Sequence, residues 1–172
     1  GKESWDIILF QFRLPKAITA IFVGIGLSIS GLLMQTLFRN PLAGPYVLGL
    51  SSGASLGVAV VILGSAILPI SISNFFLSSY GLTLASAIGS FIVLSAVLLV
   101  SKRLKDTMAI LIVGLMFSSF TSAMVSILSY FSTAEQLQKY TFWSLGSISN
   151  LSWKEVFILS ALVFLGFLLS IL

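Results

Sequence analysis

QTLFRNPLAGPYVLGLSSGASLG, residues 35–57, decides how the rest of the chain is read. One arginine, an Asn-Pro, a Gly-Pro and a run of Gly and Ser interrupt an apolar segment that then resumes. Hydrophobic residues make up 58% of the 172 residues and charged residues only 8%, against about 25% charged in soluble domains. The mean hydropathy is +1.13. No charged side chain occurs from Asn40 to Ser101, and none from Thr107 to Ala134. The apolar runs reach the ~20 residues that a bilayer-spanning helix needs. The fold class is therefore all-α, a polytopic transmembrane helical bundle, and the opening stretch is a corner between two spans.

Five spans follow, at about 15–38, 45–68, 80–101, 107–131 and 153–172. Pro15 suits a first helical position, where its missing N–H costs nothing, and Pro41 ends that helix because the residue before a proline is pushed out of the α region. The second span begins at Pro45, with Pro69 just past its end. Asp106 is an N-cap candidate for the fourth span. Ser152 and Glu155, in SWKE, form a capping box ahead of the fifth, and Ser132 with Glu135 forms another, which predicts a short amphipathic helix at about 133–145. Tyr130, Tyr140, Trp143 and Trp153 suit headgroup depth. Basic residues do not decide the orientation: Arg39, Lys102, Arg103 and Lys105 fall on one side, Lys2, Arg13, Lys16, Lys139 and Lys154 on the other.

The residue inventory removes several functions. The net charge of +4 sits between apolar spans, where headgroup contacts explain it, so nucleic acid is not a partner. Cysteine and histidine are both absent, which leaves no disulfide framework, no thiol metal site and no implied cofactor. Gly49–Gly53, GLSSG, matches the nucleophile-elbow pattern, but a serine hydrolase needs a base, commonly His. Asn150 opens a formal glycosylation sequon, a weak three-residue signal. No ionisable group lies in the middle of any span, which argues against a proton-coupled carrier; sodium held by backbone carbonyls stays open. No Walker A pattern occurs, so any ATPase would be another chain, and this chain is not itself an enzyme. The N-terminus lacks the features of a signal peptide, and both ends look like cuts within a longer protein.

Two kinds of small-residue face stand out. Gly49, Gly53 and Gly57 share a helix face, as do Ala20, Gly24 and Ser28; such faces let backbones pack closely in lipid, or they form a ligand groove. On the fourth span Gly114, Ser118, Ser122 and Ser126 form one stripe, with Thr121 and Ser129 beside it. It is either a helix contact or the wall of an aqueous path.

RLPKAITAIFVGIGLSISGLLMQTLFRNPLAGPYVLGLSSGASLG, from Arg13 to Gly57, resembles the FecCD-type permeases, the membrane subunits of type II ABC importers for iron–siderophores, haem and cobalamin. The family pattern is R-L-P-R, A-x-x-x-G-x-x-L-x-x-S-G-x-x-x-Q, N-P-L-A-x-P and L-G-x-S-x-G-A, with Lys16 here in place of the second arginine. YFSTAEQLQKYTFWSLGSISNLSWKEV resembles the segment ahead of the family's sixth helix. The resemblance covers essentially the whole chain and implies a partial permease, helices two to six of a roughly ten-span subunit.

The resemblance also implies roles. RLPK and the helix at about 133–145 would be external; the turn Arg39, Asn40 and Pro41 would be cytoplasmic, as would KRLKDT. Arg13 and Lys16 would receive acidic residues of a periplasmic or lipoprotein substrate-binding protein; headgroup snorkelling is the plainer reading. Asp106, Thr107 and Met108 would form the cytoplasmic gate, and Gly114, Ser118, Ser122 and Ser126 the translocation path. Gly49, Gly53 and Gly57 would serve helix packing. The implied partners are a second permease subunit, identical or paralogous, ATP-binding cassette ATPase subunits, the binding protein and lipid of the cell's inner or plasma membrane. A secondary transporter or channel subunit is the main alternative, and a membrane scaffold a lesser one.

Overall fold

The computed structural model describes residues 2–65, 75–104, 106–148 and 151–171. Pro69, Lys105, Asn150, Leu172 and the expected end of the second span near Leu68 lie outside them. In chain order the elements are α1 (Lys2–Ile7), a π-helical segment (Ile8–Arg13), α2 (Leu14–Phe38), a 3-10 turn (Pro45–Leu48), α3 (Leu50–Leu63), α4 (Ser79–Ser101), α5 (Thr107–Tyr130), α6 (Ala134–Leu145) and α7 (Trp153–Ile171). No strand occurs among the described residues. The elements form two compact units, Gly1–Gly44 with Gly146–Leu172, and Pro45–Leu145.

Among the described residues four helices are long and apolar enough to cross a membrane: Ser4–Phe38, Ser79–Ser101, Thr107–Tyr130 and Trp153–Ile171. The second expected span differs. Its α-helical part, α3, has 14 residues, or about 21 Å at 1.5 Å per residue, short of a ~30 Å hydrocarbon core. A 3-10 turn and a left-handed Gly49 (φ 77°) precede it. Gly49 is thus a hinge ahead of the helix and not a member of its face. The first helix also departs from expectation. It does not start at Pro15 but runs unbroken through it, because the π segment upstream changes the hydrogen-bond register before the proline is reached.

In the second unit α3 is the central strut. A Cβ on Gly57 would lie 2.1 Å from the Ala85 carbonyl oxygen, and one on Gly53 would lie 2.7 Å from that of Gly89. The α3 and α4 backbones therefore touch, as small faces permit in lipid. Ser90 Oγ donates to the Leu50 carbonyl at 2.9 Å and ties α4 to the start of α3. Below this crossing Val58, Ala59, Val61, Ile62 and Leu63 form the core with Ala85, flanked by Val125 and Leu128 of α5 and Tyr140 and Trp143 of α6. In the first unit α2 packs on α7, where Val163 lies 3.4 Å from the position of a Cβ on Gly26. Gly24, Gly31 and Gly166 there have nothing within 4 Å of that position.

Candidate functional site

The α5 stripe divides into two halves. Gly114 is buried under the 3-10 turn, where a Cβ would stand 2.4 Å from the Val47 carbonyl oxygen. Ser118 Oγ donates back to the Gly114 carbonyl at 3.0 Å and lies 3.2 Å from where Gly49 would carry a Cβ. Gly114 and Ser118 thus pack against the hinge that starts α3. Ser122 and Ser126 are exposed, and the Ser126 hydroxyl donates to the Ser122 carbonyl at 3.0 Å. Thr121, beside the stripe, is buried and back-bonded to Phe117 and Ser118. The Ser118 and Ser126 hydroxyls are thus satisfied on their own helix, which leaves the stripe only weakly polar.

At the start of α5, Asp106 Oδ1 accepts from the Met108 N–H at 3.0 Å, an N-cap that joins Asp106 and Met108 around Thr107. Thr107 is half-buried; Asp106 and Met108 are exposed. The cap fixes this turn in place, since it satisfies one of the unbonded amides at the helix start.

The helix at α6 is capped one residue later than the Ser132–Glu135 pair implies. Thr133 N–H donates to Gln136 Oε1 at 3.0 Å, and Gln136 N–H donates to Thr133 Oγ1 at 3.3 Å. Ser132 is instead spent on the Leu128 carbonyl, closing α5. Gln136 Nε2 also donates to Ser65 Oγ at 3.0 Å, which ties α6 to the end of α3. Freed from capping, Glu135 pairs with Lys139 at 2.9 Å, whose ammonium, by hydrogen bond and charge, holds the carboxyl below its usual range.

In the first unit Arg13 and Lys16 are exposed and three residues apart, and neither forms an ion pair among the described residues. Arg13 ends the π segment. Trp153, the first residue of α7, donates from Nε1 to the Phe10 carbonyl within that segment at 3.0 Å. Its sequence context shows only an interfacial aromatic; the proline at residue 15 is the signal that points to a carbonyl in need of a donor. Trp153 is set in place by the Ser152–Glu155 box, in which Ser152 N–H and Oγ donate to Glu155 Oε2 at 2.7 and 2.9 Å.

The corner Arg39–Pro41 closes α2. Arg39 is left-handed (φ 48°), its N–H bonding to the Thr36 carbonyl while Asn40 N–H reaches Gln35. This is the double bond pattern of a helix C-terminus that glycine usually completes. Asn40 Oδ1 then accepts from Leu42 N–H at 2.9 Å, so the turn is held by its own backbone and Arg39 is left exposed. Among the described residues no cluster of His, Cys, Asp or Glu could hold a metal ion.

Comparison with known proteins places this geometry. The chain is 39% identical over 167 residues to the "Probable iron chelatin transport system permease protein" of Helicobacter pylori, covering 96% of this chain and 47% of that protein. It is 32% identical over 159 residues to the vitamin B12 import system permease protein BtuC of Klebsiella pneumoniae, covering 92% of this chain and 45% of that one. A solved structure described as a metal-chelate type ABC transporter in an inward-facing conformation superposes with a TM-score of 0.79 at 33% identity, covering 93% of this chain and 48% of that one. The chain therefore spans about half the length of the curated relatives it matches. Residues 1–172 match the FecCD transport family throughout, and the chain belongs to that family.

Proposed function

We propose that this chain builds part of the permease subunit of a binding-protein-dependent ABC importer in the plasma or inner membrane, moving a metal chelate such as an iron–siderophore, haem or cobalamin. The observation that carries the reading is the family match across every residue. Relatives named for vitamin B12 and iron chelatin support the substrate class. The ten-span permease would pair with a second permease subunit, and ATP hydrolysis would reside in separate cassette subunits. A substrate-binding protein would set most of the affinity.

In this reading Ser118, Ser122 and Ser126 line the path, while Gly114 seats α5 against the 3-10 turn. A wall without charges suits a bulky chelate that must be held loosely and released. Asp106, Thr107 and Met108 form the cytoplasmic gate, with the capped turn as its rigid base. Arg13 and Lys16 receive acidic residues of the binding protein, where exposed charges steer encounter and set register.

The test is purification of the tagged native gene product from its own membranes, with mass spectrometry of what accompanies it. An ATP-binding cassette subunit and a binding protein are expected, and the ligand on the latter names the substrate. Intact, folded protein that brings down neither would move the channel or carrier reading to the front.

A further inference from the structure

We propose that the Trp153 indole supplies the amide hydrogen that Pro15 lacks, and thereby holds the turn ending at Arg13 in position for docking. The positioning half of this rests on the docking role given to Arg13 and Lys16 above.

The backbone register carries the argument. In an α-helix the Phe10 carbonyl would accept from the N–H four residues on, that of Leu14. Leu14 N–H instead donates to Leu9, five residues back, in the π register. In that register the donor for Phe10 is residue 15, and residue 15 is a proline with no N–H. With the Leu14 N–H spent on Leu9 and residue 15 lacking one, Phe10 is left without a main-chain donor. The indole of Trp153 fills the vacancy at 3.0 Å. The match suits both partners, since an indole N–H can only donate.

The carbonyl sits among exposed apolar side chains, with Leu9, Phe10 and Phe12 47%, 54% and 61% exposed, so without a main-chain donor it depends on a neighbouring element, and the indole is that element's donor. The donor is also held firmly. Trp153 is the first residue of α7, directly after the Ser152–Glu155 box. Phe10 lies one turn before Arg13, the last residue of the π segment. Trp153 is thus a positioning residue: it touches no cargo and acts through the backbone that bears Arg13.

The experiment uses the complete permease with its ATPase, in nanodiscs, as wild type, Trp153→Phe, Pro15→Ala, the double variant and Arg13→Glu. Two quantities are read for each, the thermal midpoint and the affinity for the binding protein at low and high salt. Trp153→Phe keeps an aromatic ring and removes the donor. Pro15→Ala restores a main-chain N–H, so Phe10 regains a partner in either register. Trp153→Phe alone is expected to lower the midpoint by roughly 2–4 °C and to weaken docking about three- to tenfold. In the Pro15→Ala background the same substitution should change neither. Should Trp153→Phe accumulate poorly, recovery of accumulation in the double variant reads the same coupling. Equal effects in both backgrounds would reduce Trp153 to ring packing and overturn the proposal. Thermal coupling with docking unchanged in Trp153→Phe, while Arg13→Glu weakens it, would overturn the positioning role and leave the docking reading standing. Docking unchanged in Arg13→Glu would sink the docking reading itself and the positioning role with it, and the donor role would then be decided by the thermal cycle alone.

Discussion

The two units use the same residue for opposite ends. In Pro45–Leu145 the glycines are filled: Gly53, Gly57, Gly89 and Gly114 each meet a neighbouring backbone within 3 Å of a would-be Cβ. In the unit of α2 and α7, Gly24, Gly31 and Gly166 face open space. A glycine every fourth residue marks a narrow face, but only the partner decides whether that face is a seam. Without a hydrophobic drive between helices in lipid, the filled faces hold α3 by close packing. The open ones leave α2 with only Pro15, Thr19 and Phe38 buried along its 25 residues.

The largest expected effect tests that contrast directly. Gly57→Ala forces a methyl onto the Ala85 carbonyl, which cannot move without parting α3 from α4, and should destabilise by about 3 kcal/mol. Gly24→Ala should be neutral or stabilise by up to about 1 kcal/mol, through helix propensity alone. Thermal midpoints of the two purified variants decide it, and similar losses would mean that the α2 face is occupied after all.

The α5 stripe lets the same comparison be made within one helix. Gly114→Leu should prevent folding, because the side chain collides with the 3-10 turn. Ser122→Leu should leave insertion and thermal stability close to wild type, since surface changes usually stay within about 0.5 kcal/mol, yet abolish uptake of the chelate if the exposed half lines the path. Normal uptake by Ser122→Leu would count against a path there.

How far the sequence could be read depended on how local the physics was. Asp106 and the Ser152–Glu155 box are caps whose partners lie two or three residues away, and the spacing identified them. The α6 cap was legible only to within one residue, because S-x-x-E and T-x-x-Q overlap in STAEQ. What separates them is Ser132 Oγ turning back to Leu128, a choice made by the end of α5. Gly49 looked like part of a helix face because its spacing fits; that it is a left-handed hinge is a backbone fact the pattern does not encode. The α3–α4 seam needed the position of Gly89, and the Phe10–Trp153 bond spans 143 residues, so neither could be found by periodicity. Family resemblance carried the functional reading further than any single residue did.

Two of the left-handed caps, one in each unit, sharpen the contrast by a smaller margin. Gly49 (φ 77°) is also crowded, with Val93, Ser118 and the Gly114 carbonyl 3.1–3.3 Å from a Cβ. Gly49→Ala should cost about 1–2 kcal/mol for the left-handed backbone alone, before any crowding. Arg39 already bears that strain at φ 48° and is exposed, so Arg39→Gly should raise stability by about 1 kcal/mol. Opposite signs for the two midpoint shifts are expected; a loss for Arg39→Gly would show that its side chain, and not its backbone, matters at the corner.

The smallest effect lies at α6, where two devices coexist: the neutral Thr133–Gln136 cap and the ion pair Glu135–Lys139. Lys139 holds the Glu135 carboxyl below its ordinary range. A carboxyl depressed in the folded state adds stability that is fully present above its unfolded value, about 4.3, and is lost as pH falls through the folded one. Both side chains are largely exposed, so solvent and salt screen the pair and its share is small. Glu135→Gln should therefore lower the thermal midpoint slightly at pH 7 and low salt, with the difference shrinking below about pH 4. Gln136→Leu should lower it more at every pH, because the cap and the bond to Ser65 do not titrate. If the Glu135→Gln difference persisted undiminished in strong acid, the carboxyl would be acting through something other than its charge, and the division of labour between cap and ion pair would have to be redrawn.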